Sequence, residues 1–276
     1  MALQTEITNM ALFCDFENIA LGVADAKYAK FDIDKVLERL LLKGSIVVKK
    51  AYCDWERYKS FKAAMHEAAF ELIEIPHVRM SGKNSADIRM VVDALDLCYT
   101  KSHVDAFVII SGDSDFSPLV SKLRENNKVV IGVGVKNSSS DLLIANCDEF
   151  IFYDDLVREK PARKRAAPKK AAAKPEASAA ETDTPIKPVD GKKQEALDLI
   201  VETIEALGTE RGEDEKIWGS MVKQALKRRK PGFNEAYYGF RSFNKLLEEA
   251  EACHLLKLER DEKSGGYVIR MLAHED

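Results

Sequence analysis

From Met10 to about residue 155, short apolar runs alternate with stretches of helical spacing. "MALFCD", "SIVVKKAYCD", "LIEIPHV", "AFVIISGD" and "KVVIGVGV" read as strands. Between them lie "DIDKVLERLLLKG", "ERYKSFKAAMHEAAFE", "SADIRMVVDALDLCYTK" and "SPLVSKLRENN", which read as helices. "SSDLLIANC" is a short helix, and "EFIFYDDL" is a last strand or a helix start. Strands separated by helices of about ten to fifteen residues form βαβ units, whose sheet is parallel and covered on both faces. The alternation therefore predicts an α/β fold built on a mostly parallel sheet.

The next segment, "EKPARKRAAPKKAAAKPEASAAETDTPIKPVD", has no aromatic residue and one large aliphatic, Ile186. Such a composition cannot bury a core, so residues 158–190 read as a basic, flexible linker. It leaves 1–157 and 191–276, each of ordinary domain size. The tail behaves differently. "KKQEALDLIVETIEALG", "IWGSMVKQALKRRKP" and "FRSFNKLLEEAEACHLL" are amphipathic helices, and "LKLERDEKSGGYVIRML" is a hairpin around a charged turn. Three helices and a hairpin predict a small α+β winged-helix domain.

Charge is unevenly spread. Residues 1–155 carry a net −6, residues 156–190 a net +4 and residues 191–276 a net −2. Contact with a polyanion would have to use local patches, because the whole chain is acidic, with net charge −4. No apolar run is long enough to span a membrane. The N-terminus has no basic segment ahead of an apolar one, so it is not a secretory signal. The five cysteines are scattered without a CxxC pair, as expected of free thiols in a reducing cytoplasm.

Open parallel sheets bind ligands outside the carboxyl ends of their strands. The first strand ends at Asp15, with Asn18 just beyond. The fourth ends at Asp113 and Asp115, and the helix before it carries Asp87 and Asp93. Three separate elements thus offer acids to one edge of one sheet. Asp113 and Asp115 point the same way if the chain stays extended, and like charges that close repel unless a cation neutralises them. Hard oxygen ligands without Cys or His suit Mg2+ or Mn2+, and His66, His77 and His103 are too scattered for a zinc site.

Each acid also has a structural reading. Asp115 is placed to cap the following helix, and Asp87 to favour the dipole of its own. Asp113 precedes the expected cap position, so capping explains it less well. Asp93 lies about 240° around the helix from Asp87, so the two cannot face one ion. Other chemistries are excluded by missing patterns. There is no Gly-Lys-Ser/Thr phosphate loop, no Gly-x-Ser-x-Gly elbow and no third glycine after "IGVGV".

"ALFCDFENIA", "GKNSADIRMVVDALDL" and "VIISGDSDFSPLVSKLRENNKVVIGVGV" resemble the three signature blocks of NYN domains, the LabA-like branch of the PIN-like and FLAP nucleases. The resemblance implies a Rossmann-like sheet and a metal-dependent ribonuclease acting on RNA. It implies that Asp15, Asp87, Asp113 and Asp115 bind Mg2+ or Mn2+, that Asn18 assists them, and that Asp93 is a further acid of the catalytic set. Glu17 stands where many relatives have a small residue, which adds a charge beside the site. The tail, through Pro231, Phe233, Tyr238, Gly239, Phe240, Phe243, Leu246 and Leu247, resembles a LOTUS (OST-HTH) domain. That implies RNA binding and a protein partner as a second option. The basic candidates for RNA contact are Lys227, Arg228, Arg229, Lys230, Arg241 and Lys245. Phe233, Phe240, Phe243, Leu246 and Leu247 are mostly core residues, and Tyr237 and Tyr238 are candidates for base stacking, with packing the better reading for Tyr238. The alternative to a nuclease is a non-catalytic RNA-binding or regulatory adaptor.

Overall fold

A computed structural model describes residues 7–75, 85–158, 191–212, 215–261 and 266–271. The segment read as a linker lies outside the described residues from residue 159 to 190, as does the part of the second signature block up to residue 84.

The first strand, β1 (Asn9–Asp15), is buried from Met10 to Asp15 because both of its faces are covered. Met10, Leu12 and Cys14 enter one core layer, and Ala11 and Phe13 the other. The chain continues through α1 (Phe16–Asp25), α2 (Ile33–Lys43), β2 (Ser45–Cys53), α3 (Lys59–Glu67), β3 (Glu71–Glu74) and α4 (Ser85–Thr100). It then forms β4 (Ala106–Ile110), a 3-10 turn (Ser114–Phe116), α5 (Ser117–Glu125), β5 (Val129–Gly134), α6 (Asp141–Asn146), β6 (Glu149–Phe152) and α7 (Tyr153–Val157). The segment read as strand or helix start is both, strand to Phe152 and helix from Tyr153.

The six strands run in the order β3-β2-β1-β4-β5-β6, and every pairing is parallel. Helices α1, α2, α3 and α7 cover one face, and α4, α5 and α6 the other. This is the doubly wound Rossmann-like arrangement, and its strand order reverses between β1 and β4. The crevice of such a sheet opens at the carboxyl ends of those two central strands.

The C-terminal region has α8 (Gly191–Arg211), β7 (Ile217–Trp218), α9 (Gly219–Arg229), α10 (Phe243–Ala252), β8 (Leu256–Arg260) and β9 (Tyr267–Met271). Its antiparallel sheet has the order β7-β9-β8. Phe233, Phe240, Phe243, Leu246 and Leu247 are all in its core. One reading is corrected. "IWGSMVKQALKRRKP" is not helical from its first residue, because Ile217 and Trp218 pair with Ile269 and Val268. That partner lies far along the chain, and local periodicity carries no trace of it.

The two regions are packed together through the end of α2. Leu42 is buried within the C-terminal core. The Arg228 guanidinium donates from Nε to the Leu41 carbonyl (2.8 Å) and from Nη2 to the Leu42 carbonyl (2.9 Å). Carbonyls at a helix C-terminus have no intrahelical partner and carry negative partial charge, so a cationic fork satisfies both needs. Glu210 of α8 pairs with Arg39 and Lys43 of α2, and Lys43 also pairs with Glu149 at 2.8 Å. No helix among the described residues is long and apolar enough to cross a membrane.

Arg228→Ala combined with Glu210→Ala removes the polar contacts of this junction. Loss of the charged hydrogen bonds should lower urea stability by about 1–3 kcal/mol, and small-angle scattering should show an expanded particle. Unchanged stability together with an unchanged scattering profile would rule out the docked arrangement.

Candidate active site

The crevice between β1 and β4 is held together by side chains from both sides. Asp15 ends β1 and caps α1, its Oδ1 accepting the Asn18 amide at 3.3 Å. Its Oδ2 accepts the Ser111 hydroxyl at 3.1 Å from beyond β4. The Asn18 Oδ1 in turn accepts the Gly112 amide at 2.8 Å. The next residue after Asp15, Phe16, is fixed among the rings of Phe31, Trp55, Tyr58 and Phe61, which pins the start of α1. Gly112 has no room for a side chain, since a Cβ there would sit 2.3 Å from the Ser138 carbonyl oxygen. Ser111 was not among the sequence candidates. Its only sequence signal is its place just before Gly112 and two residues before Asp113.

The capping assignment beyond β4 is also corrected. Asp113, not Asp115, is the cap: its Oδ1 accepts the Asp115 amide at 3.0 Å and opens the 3-10 turn. The Asp113 amide donates to the Ser111 Oγ at 3.2 Å. The chain coils into the turn at once, so Asp113 and Asp115 do not extend side by side as a strand would place them. Asp113 is half-buried and Asp115 exposed. Asp87 lies in the first turn of α4, half-buried.

Asp93 stands apart from these acids. It accepts from the Tyr52 hydroxyl (2.9 Å) and Arg89 Nε (3.0 Å), and pairs with Lys50 at 3.4 Å. Burial alone would raise its pKa, but Tyr52, Lys50 and Arg89 outweigh that and hold it low. With its oxygens engaged by β2 and α4, Asp93 braces the helix on the sheet, on a different face of α4 from Asp87. Glu17, the unusual acid beside the site, pairs with Arg57 at 3.0 Å.

The electrostatics of the crevice are one-sided. Burial pushes the Asp15 carboxyl up to about 7, helped by Asp87 and Asp113, while the bonds from Asn18 and Ser111 pull it down. Asp87 is raised by burial first, and then by Asp113, Asp115 and Glu17. All the charges raising these two groups are carboxylates. Asp15, Asp87, Asp113 and Asp115 therefore share one field although they come from three elements. Among the described residues, no three His, Cys, Asp or Glu side chains form a closed metal-holding group as they stand. The donor chemistry nevertheless fits a hard divalent cation, since the four side chains offer carboxylate oxygens alone. The cysteines are free; Cys14 and Cys53 are buried and their thiols raised by burial, so neither offers a thiolate.

The basic candidates of the tail divide into engaged and presented groups. Arg228 serves the junction with α2, and Arg229 pairs with Glu202 at 2.8 Å. Lys245 pairs with Glu248 across one helical turn. Lys227, Lys230 and Arg241 are exposed. Tyr237 is 63% exposed, with the Lys192 ammonium 4.8 Å from its ring centre. Tyr238 stacks on Phe233.

Comparison with known proteins places this geometry in a family. An uncharacterized protein of Methanocaldococcus jannaschii is 26% identical over 165 residues, 59% of this chain and 65% of that protein. The meiosis regulator and mRNA stability factor 1 of Xenopus tropicalis is 24% identical over 161 residues, 58% of this chain and 9% of that protein. The chain thus spans less than two thirds of the length of either. A Vibrio parahaemolyticus crystal structure of a protein of unknown function aligns with a TM-score of 0.49 and 26% identity, covering 55% of this chain and 96% of that one. The family model of the NYN domain matches residues 9–154, just over half of the chain, and this chain belongs to the NYN domain family.

Proposed function

We propose that this protein is a Mg2+- or Mn2+-dependent ribonuclease that hydrolyses RNA phosphodiester bonds. NYN domains belong to the PIN-like nucleases, which generally use divalent metal ions. The observation that carries the reading is the field at the switch point: Asp15 and Asp87 are both raised by burial and by neighbouring carboxylates. Asp15, Asp87, Asp113 and Asp115 are the residues that would hold the ion. A hard divalent cation supplies charge neutralisation and a more acidic water when bound. Asn18, fixed by the Gly112 amide, keeps the Asp15 and Asp113 sides of the crevice in register.

The C-terminal region, 191–276, is a LOTUS-type winged helix in this reading, joined to the NYN domain, 1–157, by the basic segment 158–190. Its three helices and the β7-β9-β8 sheet support that assignment. It binds RNA through Lys227, Lys230 and Arg241, with Tyr237 as a stacking platform. A second reading, a non-catalytic RNA-binding adaptor, is favoured by one observation: Asp15 and Asp113 both already serve as caps.

Cleavage separates the two readings. The full chain with Mg2+ or Mn2+ should cut labelled RNA, chelation should stop it, and Asp113→Asn should slow it by about a hundredfold or more. Asn caps a turn as well as Asp does, so the loss would not be an unfolding effect. Intact RNA over a panel of single-stranded and structured substrates would leave only the adaptor.

The repulsion can be tested without metal. Asp15 binds its proton more tightly folded than unfolded, so its contribution to stability is full below about pH 4 and is lost as pH rises through about 7. Metal-free protein should therefore lose stability over that window relative to Asp15→Asn, with a difference slope approaching about 1.4 kcal/mol per pH unit. Parallel stability curves for the two proteins would show that Asp15 is not under this strain.

Charge reversal at Lys227, Lys230 and Arg241 should weaken RNA binding about equally for all sequences. It should also reduce the salt dependence of binding by roughly one power of salt concentration for each cation that had met a phosphate. An unchanged salt slope would place the RNA elsewhere.

A further inference from the structure

A groove of about 690 Å3 runs between α4 and the 3-10 turn with the start of α5. Its walls are Ile88 and Val92 of α4, Pro118 of α5 and Leu142 of α6. Asp87 and Asp115 line it too, so it opens directly onto the acid crevice. Ile88 is 63% exposed, Val92 55% and Leu142 57%. Only seven large hydrophobic side chains among the described residues are exposed, and three of them line this one groove. Scattered apolar side chains at a surface are ordinary, whereas a cluster beside polar groups marks a binding surface.

A second observation points to a ligand. Ser117 lines the same groove and is 6% exposed, yet its hydroxyl has no hydrogen-bond partner. A buried hydroxyl without a partner costs free energy that a bound group can recover. Ser114 and Ser121 add two more hydroxyls to the lining. Among the described residues its lining carries no lysine or arginine, the groups that bind a phosphate. The combination suits a flat, uncharged group with apolar faces and a hydrogen-bonding edge.

We infer that this groove seats a nucleobase of the RNA strand next to the phosphate held at the acids, with Ile88, Val92 and Leu142 against its faces and Ser117 Oγ bonded to its edge. The inference rests on the nuclease reading above, since it places the phosphate at Asp87 and Asp115. Its volume is in the range of pockets that take drug-sized or nucleoside-sized ligands, about 300–1,000 Å3. The groove would make Ser117 and the apolar walls determinants of which base is accepted at that position.

The test uses the full-length Asp113→Asn chain with Mg2+, so that binding is read without turnover; Asp113 does not line the groove. Ile88→Ser with Val92→Ser, both at exposed positions, should weaken binding of a short single-stranded RNA by about tenfold, the scale of one base losing its platform. An RNA series with one abasic nucleotide at each position should reproduce that loss at a single position. At that position the groove variant should show no further loss. A 4-thiouridine placed there should crosslink to peptides containing residues 88–92, 117 or 142. If the variant binds every RNA as its parent does and no crosslink forms, the groove inference fails, whether or not the wild-type chain cleaves. If crosslinking and the shared loss appear in a chain whose wild type never cleaves, the groove stands and the nuclease reading falls. If the variant instead turns a sedimenting dimer into a monomer with RNA affinity unchanged, the groove is an interface between copies and the inference is overturned.

Discussion

Two hydrogen bonds across the switch point, Asp15 to Ser111 and Asn18 to Gly112, define the crevice on which the rest of the site depends. They join the end of β1 to the loop after β4, the two strands between which the sheet reverses its order. Without them the caps at Asp15 and Asp113 would belong to separate elements. With them, one short chain of contacts runs from the Asn18 amide through Asp15 and Ser111 to the Asp113 amide and on to the Asp115 amide. Gly112 makes that closeness possible, because its α-carbon lies against the Ser138 backbone. The negative field is therefore a product of connectivity. It gathers on the crevice because the backbone that carries it is tied there.

The central sheet was legible in the sequence because its strands are covered on both faces. Runs such as "AFVII" must then be apolar at every position, and β4 is buried throughout. Asp15 and Asp113 were legible as acids at strand ends, since a doubly wound sheet brings those ends together whatever the intervening sequence. What the residues did not reveal was the side-chain chemistry between elements. The cap at Asp113 depends on the chain coiling immediately after Gly112, which spacing alone does not state. The bracing of Asp93 by Tyr52 depends on α4 crossing β2, a contact between residues forty-one apart. Strand β7 is two residues long and exists only because β9 is beside it.

The junction with the C-terminal region shows the same limit from another side. A basic run after a helix, "KRRK", reads naturally as a phosphate-binding patch. Two of its four members have partners within the protein, and Arg228 answers a need that lies in the other half of the chain. The end of α2 has carbonyls to satisfy, and the Arg228 fork meets two of them. The remaining exposed cations are fewer than the sequence offers, but they are placed on a body whose orientation to the NYN domain is set by α2.

Capping does not by itself explain why the crevice is acidic. Asn caps a helix or turn about as well as Asp, and it carries no charge to repel its neighbours. At Asp15 the difference is large: a carboxyl raised from 3.8 to about 7 costs on the order of 4 kcal/mol to ionise relative to an unperturbed one. An amide at the same place could accept the Asn18 amide through its one carbonyl oxygen and donate its NH2 to the Ser111 Oγ, without that cost. At Asp113, too, an Asn side chain could accept the Asp115 amide. Asp115 lies inside the turn that Asp113 caps, and Asp87 lies inside α4, so capping accounts for neither. Four acids where at most two neutral caps are needed make sense if the charge itself is used, and a bound cation is the simplest partner for it. Mutual repulsion is also what spreads such carboxylates apart, and a positive ion between them reverses the sign of that force. In the ribonuclease reading, the free energy that the acids cost the fold is recovered in part when the ion binds.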